Sequence, residues 1–329
     1  MENLKNHLDP LKLGRAQAHQ NMALFPLLAS DAGAPYYMTL EEAFEQGNLE
    51  VREKDQAGSV PELLLINQGP MSVLIVAGEE LVGAKQNRIV NATFLIQANT
   101  EVILPVSCVE QGRWAYRSEK FSSGKRMMHA SLRSAQHRDV MFNRRAMGGG
   151  FRADQGRIWA DLDDKIESMA ASAPSQAMSD LFESQRDHLS EYLKAFRLVE
   201  CQVGGIFAIN GKVVGLDLYG YQDTFEKFFE RIVNSYALDA LDWRQRRETP
   251  KPNQSLAKNF LDEAIEAPVE RGSSLGLGED IRIQTDNIVG AGLEHDGELL
   301  QLSAFMGSGN GNPGRRVGFR RFSSRREMF

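Results

Sequence analysis

Residues 72–108 read SVLIVAGEELVGAKQNRIVNATFLIQANTEVILPVSC, and this stretch decides the fold class. Runs of Val, Ile, Leu and Phe suit a pleated surface, and they are interrupted every few residues by Gly, Asn, Pro or charged residues that favour turns. Upstream, LEV at 49–51 and ELLLIN at 62–67 continue the pattern. The connections are short, so antiparallel pairing is expected. The runs are too apolar for a sheet with one wet face, which points to a sandwich or to a sheet covered by helices.

Toward the N-terminus, Thr39 is followed three residues later by Glu42, a capping-box pattern, and a short helix through Ala43 and Phe44 is expected to end at Gly47. Residues 1–19 read as an N-terminal extension. Toward the C-terminus the apolar pattern stops after Trp114, and residues 117–156 read as a mobile basic loop region with at most one helix. Helical periodicity then runs through Ile158, Trp159, Leu162, Ile166 and Met169, and resumes after Pro174 with Leu181, Phe182, Leu189, Tyr192, Leu193 and Phe196. Asn210-Gly211 lies between two β-type runs and predicts a two-residue hairpin turn. A further helix through Phe225, Phe228, Phe229, Ile232, Tyr236 and Ala240 should be capped by Asp223 with Glu226. Residues 243–259 read as a surface connection, and IRIQT and LLQLSAF within 281–305 as strands that could share a sheet with the first ones. The stretch 307–329, with paired arginines and few apolar residues, reads as a disordered Arg-rich tail. The expected fold is α+β: largely antiparallel, sandwich-like β sheets packed with three to four amphipathic helices, in a single domain over residues 20–306.

Composition excludes several classes of function. A net charge of −6 over 329 residues argues against nucleic acid or anionic membrane as a partner of the whole surface. No stretch approaches the roughly 20 apolar residues that cross a bilayer, and the N-terminus lacks the apolar core of an export signal. The two cysteines, Cys108 and Cys201, are far apart and form no C-x-x-C pair, so a cytoplasmic, reduced setting is expected. The six histidines show no H-x-H or H-E-x-x-H spacing, so no metal site is expected. Gly148-Gly149-Gly150 and Gly276-Leu277-Gly278 match no phosphate-loop pattern.

Chemistry concentrates in two places. Residues 78–88, GEELVGAKQNR, put two carboxylates, a lysine, two amides and an arginine into one connection between apolar strands. Lys85 and Arg88 could hold phosphate or carboxylate oxygens, Gln86, Asn87 and Asn91 could read hydroxyls or a base edge, and Glu80 could act as a general base. The plain alternative is a solvated hairpin with surface ion pairs. The second place is Cys108-Val109-Glu110-Gln111-Gly112-Arg113-Trp114. Glu110 is a second candidate base, and Gln111 and Arg113 are candidate ligand contacts. Cys108 reads as a small core residue, because nothing in the sequence brings a thiolate-stabilising partner to it. Trp114 could stack on a ring or belong to the core. His295-Asp296 reads first as a turn, and Asp217 among apolar residues calls for a buried partner or a solvent-facing position. Between Arg113 and Arg157, eleven cationic side chains meet three carboxylates. That excess could attract the phosphates of nucleic acid, but the run lacks interleaved aromatics for stacking. A basic loop closing on a phosphorylated small ligand explains the same residues at least as well.

The segments GEELVGAKQNRIVN and PVSCVEQGRW resemble the ARG and rhodanese-phosphatase-superfamily-associated protein domain family, prokaryotic domains named for association with ADP-ribosylglycohydrolase and rhodanese-phosphatase proteins. The resemblance continues through QGRIWADL and NGKVVGLDLYG and covers about residues 20–305. It implies a companion of systems that process ADP-ribose or related nucleotides, with no catalytic residue to carry over and no cofactor singled out. Two readings follow. The first is a cytosolic domain that binds, and processes, a nucleotide-like phosphorylated small molecule. The second is a non-enzymatic interaction module whose basic loop and tail contact nucleic acid or an acidic protein.

Overall fold

Met22–Leu28 and the C-terminal strands share one nine-stranded sheet. Its order is Lys12–Leu13, Met22–Leu28, Gln202–Ile209, Lys212–Tyr219, Glu298–Met306, Ile288–His295, Glu279–Gln284 and Val269–Ser273, with Gln17–His19 also paired to Met22–Leu28. All of its pairings are antiparallel. The computed structural model describes residues 4–30, 33–55, 59–147, 150–244 and 250–307. The intervening chain builds a six-stranded antiparallel sheet, ordered Phe121–Met127, Glu79–Gly83, Arg88–Val90, Thr100–Cys108, Glu62–Asn67 and Leu49–Glu53. A small third sheet joins Phe94–Ile96 to Ser72–Ile75, and Ser72–Ile75 to Tyr37–Thr39 in parallel. The class is therefore α+β. The early strands from Leu49 onward and the last strands lie in different sheets, and it is Met22–Leu28 that joins the C-terminal strands.

The nine-stranded sheet is apolar on both faces because both are covered. Ile206, Leu216, Leu218, Ile281, Ile283 and Leu302 pack under the helices Lys5–Leu8 and Gln254–Glu266. Phe207, Tyr219, Val289 and Phe305, on the opposite face, pack against the helix Gln222–Asp242 and its neighbours. Side chains alternate across a strand, so two apolar layers require near-continuous apolar runs. The Asn210-Gly211 turn forms as read, with φ of 52° and 77° at the two positions. Thr39 and Glu42 make the reciprocal capping box, and Gly47 follows the helix in the left-handed region at φ 68°.

Several expectations are corrected. Eight helices stand among the described residues, more than the three to four expected. The segment 1–19 is no mere extension: Leu4 and Leu8 are buried, and residues 12–13 and 17–19 are strands of the large sheet. The basic stretch 117–156 contains the strand Phe121–Met127 and the helix Ala130–Met147. Its first half is buried on all sides from Leu132 through His137, so polar residues there do not mark an exposed face and the usual amphipathic pattern is missing. The stretch after Pro174 breaks at Gln185 into the helices Met178–Ser184 and Arg186–Ala195. The helix from Gln222 starts without a side-chain cap. Residues 254–259, expected as part of a connection, open the helix Gln254–Glu266, which is capped by Asn253. The tail expected over 307–329, apart from Gly307, and Gly148-Gly149 lie outside the described residues.

Candidate active site

Residues 79–83, expected as part of a connection, are a strand that pairs with Arg88–Val90, so GEELVGAKQNR is a hairpin. Its turn is tight: Ala84 has φ 38° and Gly83 φ 140°. A Cβ at Gly83 would lie 2.6 Å from the Lys120 carbonyl oxygen, so only glycine fits. The turn is not solvated. Glu80, Lys85, Gln86, Asn87 and Arg88 are all buried, with Arg88 at 0% exposure.

Asn87 sits at the centre of the cluster. Its backbone N–H donates to Glu110 Oε2 at 2.9 Å, its Nδ2 to Ser179 Oγ at 3.3 Å and to Glu80 Oε1 at 3.5 Å, and its Oδ1 accepts from Arg113 Nη2 at 3.3 Å. Arg113 grips Glu110 with two prongs, Nε to Oε1 at 2.8 Å and Nη2 to Oε2 at 2.6 Å, while its Nη1 donates to the carbonyls of Ala84 and Ala115. Gln86 Nε2 donates to the Glu110 carbonyl at 2.8 Å. The two candidate bases thus come from the strand Glu79–Gly83 and from the segment just past the strand Thr100–Cys108, and converge on a single asparagine.

Their electrostatics diverge. Burial pushes Glu80 up to about 7, with Arg126, whose Nη1 lies 3.6 Å from Oε2, opposing it only in part. Glu80 Oε2 is buried and makes no hydrogen bond. Burial acts on Glu110 in the same sense, but the Arg113 guanidinium and the Asn87 N–H outweigh it and hold this carboxyl below the usual range. Two carboxylates driven apart in this way are the arrangement that separates a proton acceptor poised near neutrality from a fixed negative charge.

The cluster reaches the surface at Trp114 and Tyr116, which flank the buried Lys85. The Lys85 ammonium lies 5.3 Å from the Trp114 ring centroid and 5.1 Å from that of Tyr116. Those rings are 51% and 54% exposed, so Trp114 is not a core residue. Trp114 and Tyr116, on either side of a bend at Ala115, thus flank the same ammonium.

Other expected residues are placed elsewhere. Arg88, expected on phosphates, is sealed in: Nη1 donates to Gln86 Oε1 at 3.1 Å and Nη2 lies 3.7 Å from Glu53 Oε1. Asn91 donates to the Phe151 carbonyl and accepts from Ser107 and Gln136, so it ties the sheet to the Ala130–Met147 helix. Gln111 is exposed in the turn beyond Glu110. Cys108 is completely buried, its thiol donates to Gln86 Oε1 at 3.1 Å, and burial pushes its pKa up, so it remains a thiol. Asp296 and Gly297, at φ 51° and 77°, turn the last hairpin. Glu53, Arg126 and Ser179 join the cluster without any sequence motif to announce them. Among the described residues no group of three or more His, Cys, Asp or Glu could hold a metal ion, and no helix is long and apolar enough to cross a membrane.

The basic run is largely matched by acids from other parts of the chain. Lys120 pairs with Glu50, Lys125 with Glu41 and Glu45, Arg133 with Asp217, Arg144 with Asp280 and Arg145 with Glu270, while Arg157 pairs with Asp139 inside the run. The local excess of positive charge in sequence is therefore mostly neutralised in space.

No curated protein and no solved structure matches the chain. The model of the ARPP-1 family, the ARG and Rhodanese-Phosphatase-superfamily-associated Protein domain, matches residues 10–305. With that match across nearly the whole chain, and with both site motifs inside it, the chain belongs to the ARPP-1 domain family.

Proposed function

We propose that this chain binds a nucleotide-like, phosphorylated small molecule, a class that includes ADP-ribose, and processes it by general base chemistry at Glu80. The observation that carries the reading is the pair Glu80 and Glu110, bridged by Asn87 and shifted in opposite directions, beside a rim that combines a cation with two exposed rings. In this reading Trp114 and Tyr116 stack on the base, Lys85 meets the phosphates, Arg113, whose N–H groups are all engaged, adds only its charge, and Asn87 faces the sugar. Glu80 takes the proton, since a base works best when its pKa lies near the working pH. Glu110, locked by Arg113, keeps Asn87 and the turn in place, and Arg88 holds Gln86 from behind.

The test is calorimetric titration of the purified chain with ADP-ribose, NAD and mononucleotides, beside Lys85→Ala and Trp114→Ala. Binding that weakens about tenfold or more in each variant supports the reading. No binding by any of these ligands, with the wild type folded, would sink it.

A further inference from the structure

The strand register lines up a polar row inside the protein. Asp217 pairs with Ser303, Ser303 with Ala291, and Ala291 with Arg282. Directly paired residues point to the same face of a sheet. This row therefore crosses four strands of the nine-stranded sheet, on the face that also carries Phe305. Over it lies the Ala130–Met147 helix, which presents Arg133 and, one turn later, His137. The His137 ring stacks on Phe305 at 5.4 Å and 29°, and the Arg133 guanidinium lies 5.0 Å from the same ring.

The hydrogen bonds in this layer leave donors over. Arg133 uses Nη1 and Nη2 on Asp217 and Ser235, and Arg282 uses Nε and Nη2 on Asp280. Arg133 Nε, Arg282 Nη1 and both ring nitrogens of His137 make no hydrogen bond within the protein. These residues are 1%, 3% and 1% exposed, so bulk water does not satisfy them. The charge is also uneven. The guanidinium groups of Arg133, Arg144 and Arg282 face the two carboxylates Asp217 and Asp280, which they already engage. Burial and the nearby cations Arg282, Arg133 and Arg138 keep His137 neutral, so its ring offers one N–H donor and one acceptor nitrogen.

We propose that the unpartnered donors of this layer, Arg282 Nη1, Arg133 Nε and the His137 N–H, form a second binding site, independent of the one around Glu80, that takes a small oxyanion. Phosphate and carboxylate both fit this chemistry, and the acceptor nitrogen of His137 favours an oxyanion that still carries a proton. Arg144, whose side chain is 17% exposed and pairs with Asp280, marks the edge from which the ion enters.

The test compares thermal unfolding of the full chain in phosphate, sulfate, acetate and chloride at equal ionic strength, with affinities from calorimetry. Phosphate or acetate should raise the Tm of the wild type above its value in chloride, and the anion with the larger rise names the preferred group. His137→Phe keeps a ring on Phe305 but removes the donor, and should lose that rise and bind the anion about tenfold more weakly. Lys85→Ala, altered in the other site, should keep the part of the rise that His137→Phe loses. Arg282→Lys, which retains the charge beside Asp280 without Nη1, carries the same expectation should His137→Phe fail to fold. The proposal is overturned if the wild type shows no rise with any oxyanion, if His137→Phe and Arg282→Lys both respond like the wild type, or if the rise disappears in Lys85→Ala instead.

Discussion

Arg133 and Asp217, 84 positions apart in sequence, meet as a two-pronged ion pair, Nη1 to Oδ1 at 2.6 Å and Nη2 to Oδ2 at 2.9 Å. Both are essentially unexposed, and the pair ties the Ala130–Met147 helix to the centre of the nine-stranded sheet. Removing one partner leaves the other charge buried and alone, so Arg133→Met or Asp217→Leu should each cost about 3–5 kcal/mol of unfolding free energy. The double variant should cost clearly less than the two single changes added together. Urea unfolding of the four proteins measures this coupling, and strictly additive losses would show that the pair does not act as a unit.

Glu80 makes stability depend on pH. Burial raises its pKa from 4.5 to about 7. Between those values the folded chain binds more protons than the unfolded chain, so this group's contribution falls as pH rises through the window. Glu80→Gln should remove that loss and gain on the order of 2–3 kcal/mol relative to the wild type on going from the acid to the alkaline side. Glu79, also raised by burial, keeps its own contribution in the variant, so the profile flattens without becoming level. Denaturant unfolding across the pH range checks it. Parallel profiles for the two proteins would mean that Glu80 is already ionised throughout.

Glu110 has the opposite sign. Arg113 holds its carboxyl below the usual range, so its contribution to stability is present at neutral pH and is lost as pH falls through the depressed value. Arg113→Ala should move the acid-unfolding midpoint upward and cost about 1–3 kcal/mol at neutral pH, because the Glu110 carboxylate is 2% exposed and loses both prongs. Circular dichroism during acid titration reads the shift. An unchanged midpoint would place the support of Glu110 in the Asn87 N–H alone.

Gly83 supports a geometric expectation. At φ 140°, with the Lys120 carbonyl oxygen 2.6 Å from the position of an added Cβ, it cannot become alanine without moving the Glu79–Gly83 strand away from Phe121–Met127. Gly83→Ala should cost about 2 kcal/mol or more and weaken ligand binding at Lys85 through the displaced turn. Thermal unfolding with parallel titrations separates the two effects, and a variant as stable as the wild type would contradict this account of the turn.

Most local signals in the sequence were followed by the structure, the cap expected at Asp223 being the exception. The capping box at Thr39 and Glu42, the Asn210-Gly211 turn and the apolar β runs each depend on residues within a few positions of one another. The clustering of polar residues at 79–88 and 110–114 was legible for the same reason, since a hairpin places its own residues side by side. The largest misreading occurs where polar residues are buried. Arg133, Gln136 and His137 made the Ala130–Met147 helix read as a basic loop, because the groups that pack around them, Asp217, Asn91 and Phe305, lie at least 45 positions away in sequence or on another strand.

The amino-acid sequence by itself determined the α+β class, the main turns, and the short stretches in which carboxylates, amides and cations crowd together, because propensity, alternation and capping act over one or two turns of chain. Only the tertiary structure decided which of those polar residues are sealed and which are reachable. It buried Arg88 and Asn91 within the protein, exposed Trp114 and Tyr116 beside Lys85, matched most of the basic run with distant acids, and set Glu80 and Glu110 in environments that move their protons in opposite directions. Burial and charge pairing are sums over neighbours in space, and the identity of those neighbours is set by how the strands stack.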